Sequence, residues 1–238
     1  MKKFLLPFAI AVLMSPSCAQ INVGSIIKEN VPGSGKLSNE EVIRGLKEAL
    51  TIGSRNSSDK ASKKDGYYKN SLIKIPFPPE ARQMESTLRN MGMSKQVNDF
   101  VMTLNRAAED AAKKAAPIFV NAITSMTISD GLSILKGKDD AATQYLKTTT
   151  TSALKAQFKP VVKESINKVQ LTRYWNPLIT TYNKVPLVTK LNPDLDEYVT
   201  QKAIDGLFTL VAQEELKIRK DPSARVTEIL KKVFGSGN

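Results

Sequence analysis

Histidine is absent from the 238 residues, and cysteine and tryptophan occur once each. Aromatic residues make up only 6%. Each shortage removes a class of function. Without histidine there is no Ser-His-Asp or Cys-His nucleophile, and one cysteine supplies neither a zinc cluster nor a haem-attachment motif. A disulfide within the chain is impossible. Any hydrolase built here must rely on Asp, Glu, Lys, Ser or Tyr. The sparse aromatics do not interleave with basic residues, which argues against nucleic acid as a partner. No segment alternates with period two long enough to make a strand, and no internal repeat is visible.

Basic charge is what the chain has in excess. Lys and Arg number 35 against 23 Asp and Glu, a net +12. With 41% hydrophobic and 24% charged residues, the composition is that of an ordinary folded domain, and the length suits a single one. The first residues read as a processing signal. Lys2 and Lys3 precede an apolar run from Phe4 to Met14, too short for a membrane span. Ser17-Cys18-Ala19 then offers small residues at the spacing a signal peptidase accepts, so residues 1–19 are expected to be removed and the chain exported, to the periplasm in a bacterium. That leaves 33 basic against 23 acidic residues, a net +10. A rival reading anchors the chain through lipid on Cys18, although no Leu stands where lipoprotein signals carry one.

Residues 20–37, rich in Gly, Ser and Pro, read as a flexible leader before one domain over 38–238. Ser38 and Glu41 form a capping box, opening a helix with Val42, Ile43, Leu46, Ala49 and Leu50 on one face. Asn56 to Asn70 reads as a fraying end and a lysine-rich loop. Ile75-Pro76-Phe77-Pro78-Pro79 is expected to be an extended, polyproline-like strap. Ser94 should cap an amphipathic helix whose apolar arc holds Val97, Phe100, Val101, Leu104, Ala107, Ala108 and Ala111. Shorter helices follow, one capped by Thr127 or Ser129 and ending at Gly137, and one capped by Asp139 and running through Lys147. Further helices are expected over Leu154 to Val169, Arg173 to Lys184 and Asp194 to Lys220, and a last one begins at Pro222. The expected fold is an all-α, single-domain helical bundle of about eight to ten helices.

Four groups of residues carry candidate chemistry. Lys155, Lys159 and Lys163 recur every four residues and make one helix face cationic, suited to anionic envelope lipids or glycans; the alternative is a solvated surface. Glu214 and Glu215 fall on or beside the apolar arc of Ile204, Leu207, Phe208, Val211 and Ile218. A carboxylate there needs a partner, with Arg44, Arg106 or Arg219 as candidates and an arginine from another helix expected, or becomes a catalytic acid. Asn105, Arg106 and Glu109 lie together on the amphipathic helix, able to pair internally or to hold a ligand. Asp139 and Asp140 sit at a helix start, where carboxylates cap; with no third oxygen ligand at a recognisable spacing, no metal is expected. Trp175, Tyr174 and Tyr182 form an aromatic cluster, read as core. No cofactor is implied.

Five segments in order resemble one bacterial family, that of domain of unknown function 4197: Glu41 to Leu50, Ile75-Pro76-Phe77-Pro78, Leu104-Asn105-Arg106-Ala107-Ala108-Glu109, Asp139 to Tyr145 and Tyr198 to Phe208. The resemblance spans Glu40 to Phe234 and implies an exported helical protein with no assigned activity. Lys138 departs from it, standing where a second glycine after Gly137 is expected, which weakens a phosphate loop there. The leading expectation is therefore a binding or interaction module of the cell envelope. The alternative is a hydrolase of cell-wall glycan using Glu214 or Glu215.

Overall fold

The computed structural model describes residues 38–168, 171–188 and 194–225, with Lys231 and Val233. The expected signal and leader, and most of the helix expected after Pro222, lie outside the described residues. Within them there are eight α-helices and no strand: α1 (Asn39–Ser62), α2 (Arg82–Asn90), α3 (Ser94–Ala112), α4 (Ala115–Thr124), α5 (Ile128–Lys136), α6 (Ala141–Lys168), α7 (Leu171–Tyr182) and α8 (Leu195–Lys220). The fold is an all-α single domain.

The α3 helix is the centre of the bundle and packs against α1, α6, α7 and α8. Its apolar arc is buried from Val97 through Ala112, and the alanines of its second half let neighbouring helices approach closely. Phe100 stacks on Trp175 of α7 with ring centroids 4.8 Å apart, and Phe77 leans on both rings. Trp175 and Tyr182 are both buried in the core, and the Tyr174 side chain lies outside the described residues. Phe158 of α6 and Leu207 of α8 complete the interior.

Helix starts follow local chemistry. Ser38 accepts from the Glu41 amide while Glu41 reaches back to Ser38, and Thr127 does the same with Asp130. The Asp194 side chain caps α8 through the Glu197 amide. Ser94, by contrast, is the first residue of α3 and caps nothing; the preceding Met93 has no side-chain bond either. The first helix does not fray at Asn56 but continues to Ser62, because Gly53, Ser54, Ser57, Ser58 and Ala61 present a small, buried face on which α8 packs.

Two short helices were expected between Asp139 and Val169, where the structure has one helix of 28 residues. The polar run that looked like a break is tolerated: Thr148, Thr149, Thr150 and Thr151 each return their hydroxyl to the carbonyl four residues earlier, which satisfies them within the helix. Pro160, also inside α6, is exposed, where loss of one N–H is least costly. Residues 74–78 form no regular element; Ile75 and Phe77 are buried while Pro76 faces outward. A 3₁₀ turn over Pro79–Ala81 leads into α2.

Among the described residues no single helix is long and apolar enough to cross a membrane. α4 and α5 reach that length only together, across a 105° bend, and Phe119, Ile123 and Ile134 point into the core.

Candidate functional site

The α3 motif residues act on the segment between α1 and α2. Asn105 is fully buried, and its side-chain amide pairs with the Ile75 backbone as a neighbouring strand would. Its Oδ1 accepts the Ile75 N–H at 2.8 Å, and its Nδ2 donates to the Ile75 and Val101 carbonyls, both at 2.8 Å. One turn later, Glu109 accepts the N–H groups of Tyr67 and Tyr68 on Oε1 at 3.1 and 3.2 Å, and the Arg106 guanidinium on Oε2 at 2.6 Å. Arg106 also bridges to Asp65. Hydrogen bonds from Arg106 and then Lys69 hold the Asp65 carboxyl below the usual carboxylate range.

Close packing supports the same segment. Tyr67 is wholly buried, and its hydroxyl donates to the Ala203 carbonyl of α8 at 2.6 Å. Burial, and then the charge of Glu109, pushes its phenol far upward. Gly206 makes room for that ring, since a Cβ there would stand 2.7 Å from Tyr67 Cε1. A Cβ on Gly66 would collide with the Lys60 and Ala61 carbonyls at the end of α1. Asn105, Arg106 and Glu109 are thus engaged with the chain itself. The i,i+4 spacing allows Asn105 and Glu109 to pair with each other; both turn instead to backbone 30 or more residues away in sequence, which helical spacing does not reveal.

Glu215 forms a second internal site. It is buried, and accepts Ala142 N–H and the Arg219 Nε and Nη2 groups on Oε1, and the Thr143 N–H and hydroxyl on Oε2, at 2.8–3.0 Å. All five partners are donors, which fills the carboxylate as an acceptor. The arginine is on the same helix, not on another one as the projection had it. The cross-helix partner is the N-terminus of α6, whose free N–H groups and dipole favour an anion. Arg219 Nη2 meanwhile donates to the Ile134 carbonyl at 2.9 Å, at the C-terminus of α5. One ion pair on α8 therefore complements both helix ends at the α5–α6 joint. The two cavities beside Glu215 measure about 10 Å³ each, far below the size of a substrate site.

This arrangement corrects the role of Asp139. The N–H groups an Asp at the α6 start would cap already go to Glu215, and Asp139 pairs instead with Lys220 at the surface, at 2.9 Å. Asp140 accepts from Gln144. With those amides occupied, the turn has no phosphate-loop character. Glu214, beside the buried Glu215, accepts from Lys217 at 2.6 Å and Asn56 at 3.3 Å.

The lysine row is exposed but not bare. Lys155 and Lys159 both reach Glu197 of α8, at 3.4 and 2.9 Å, in an open depression of about 710 Å³ that Lys163 also lines. Hydrogen bonds from Lys159 and then Lys155 hold the Glu197 carboxyl below its ordinary value, and Glu197 raises Lys159 in turn. A surface groove of about 830 Å³ runs between α4 and α6, floored by Pro117, Ile118, Ala122 and Ala153, with Lys113 and Lys114 lining it too. Among the described residues no three carboxylates converge as a metal would require.

The fold and these sites define an all-α bundle in which the buried Asn105, Glu109 and Glu215 are turned onto its own backbone. A family model described as "Protein of unknown function (DUF4197)" matches residues 36–235, and the chain belongs to that family. Comparison with curated proteins and with solved structures finds no match.

Proposed function

We propose that the protein is an exported, non-catalytic module that binds anionic surfaces of the bacterial envelope through its lysines. The observation that carries this reading is the partition of polar residues. Asn105, Glu109 and Glu215 are buried and hydrogen-bonded to the chain's own backbone. The surface meanwhile keeps a surplus of basic residues, 33 against 23 acidic ones once residues 1–19 are removed, a net +10. Basic faces of this kind suit phospholipid or glycolipid head groups. No observation favours the hydrolase reading, because a Glu215 already saturated by five donors has neither the free edge nor the cavity that a general acid needs.

Attraction between exposed charges is screened over about 8 Å at physiological ionic strength. Co-sedimentation with vesicles containing phosphatidylglycerol should therefore succeed at low salt, fall steeply as salt rises, and fail with phosphatidylcholine alone. Binding indifferent to salt or to lipid charge would refute the reading. The export step has its own test: mass spectrometry of the secreted form should find Gln20 as the first residue, and lipid on Cys18 would make the protein anchored instead.

A further inference from the structure

The last turn of α1 and the loop that follows it combine a cluster of exposed lysines with an exposed leucine. From Lys60 to Lys74 the segment carries Lys60, Lys63, Lys64, Lys69 and Lys74 against Asp65, and all five lysines are exposed. Asp65 is already engaged with Arg106 and Lys69. Among these cations stands Leu72, 63% exposed. Its backbone N–H is held by the Asn70 side chain at 3.2 Å, while the next residue, Ile73, is buried. An exposed apolar side chain in a lysine-rich segment is of no use to a soluble polyanion, but it matches the boundary between head groups and acyl chains of a bilayer.

The loop is also pre-organised. Glu109 holds its backbone at Tyr67 and Tyr68, Asn105 holds it at Ile75, and Tyr67 is bolted to Ala203. Lys74 lies over the Tyr68 ring, 4.6 Å from its centroid. A loop fixed before binding loses little freedom on docking. The buried α3 motif and the exposed lysines thus belong to one device, an internal clamp and the surface it presents.

We propose that the clamped loop Lys60–Lys74 is the membrane-docking surface of this protein: its lysines meet lipid phosphates and Leu72 enters the outer edge of an anionic bilayer. The proposal rests on the anionic-surface reading above and names the surface responsible. The α6 row is the weaker competitor, since Glu197 neutralises part of it.

The test uses the full chain and vesicles of equimolar phosphatidylcholine and phosphatidylglycerol, with and without bromine on the acyl chains. L72W fluorescence should be quenched by the brominated chains. L187W, at a still more exposed leucine of another loop, should not be; the native Trp175 is buried and supplies a constant background. K63E/K64E should weaken binding by at least about thirtyfold, and L72S by about tenfold, while K155E/K163E loses less than K63E/K64E. Circular dichroism of each variant confirms the fold, and L72S carries the test if L72W is unstable. Binding without quenching of L72W, or a larger loss from K155E/K163E than from K63E/K64E, overturns this assignment and leaves the anionic-surface reading standing. Failure of the unaltered protein to bind anionic vesicles at low salt overturns both.

Discussion

Glu215 of α8 accepts the backbone N–H of Thr143, in the first turn of α6, at 2.8 Å. A helix cap normally comes from the residue just before the helix; here it comes from 72 residues away. The start of α6 is therefore stable only when α8 is docked, which couples two of the longest elements of the bundle.

Removing that carboxylate strands both partners. E215A leaves the half-buried Arg219 without its anion and two α6 amides without acceptors, and a broken buried pair costs about 3–5 kcal/mol. Urea melts should show that loss. By contrast D139A, which removes only an exposed pair with Lys220, should change stability by about 0.5 kcal/mol or less. Equal losses in the two variants would mean that Asp139 caps α6 after all.

Asn105 offers a sharper test of the α3 clamp. N105A leaves the Ile75 N–H and C=O buried without partners, at about 1–3 kcal/mol for each unsatisfied group. Amide exchange should then accelerate through residues 67–75 before the rest of the bundle opens. A uniform rise across the chain would show that the loop is not held by this residue.

Gly206 and Tyr67 form one contact. G206V should be strongly destabilising, because the ring has no space to retreat. Y67F keeps the packing and loses one bond to the Ala203 carbonyl, at about 1 kcal/mol. Thermal melting of the two variants should separate the steric cost from the polar one.

Glu197 adds a dependence on pH. Its folded-state value is depressed by Lys159 and Lys155, so the stabilisation is present above the unfolded value, about 4.3, and is lost as pH falls through the folded value. E197Q removes it at every pH and bares two lysines. Stability of the unaltered protein should approach that of E197Q in acid, and E197Q should bind anionic vesicles somewhat more tightly at neutral pH. Binding unchanged in E197Q would show that the α6 lysines take no part.

Much of the helical framework was legible in the sequence, and the reasons are local. The Ser38–Glu41 box, the Thr127 cap, the arc from Val97 to Ala111 and the Asp194 start all depend on neighbours within four residues. Continuity of α6 was hidden because Thr148 to Thr151 look like a break until their hydroxyls are seen to bond within the helix. The roles of Asn105, Glu109 and Glu215 were hidden for a different reason. Their partners are backbone groups brought close only by the tertiary fold, and backbone groups carry no sequence signature. Burial of Glu215 could be projected from Leu207, Val211 and Ile218, but the α6 terminus as its partner could not.

Amide exchange of the full chain, free and bound to phosphatidylglycerol vesicles, tests the central claim most directly. The account predicts slower exchange on binding over residues 60–74, with Glu215 and the α5–α6 joint unchanged. A footprint confined to residues 155–163, or an unaltered pattern in the presence of bound vesicles, would contradict it.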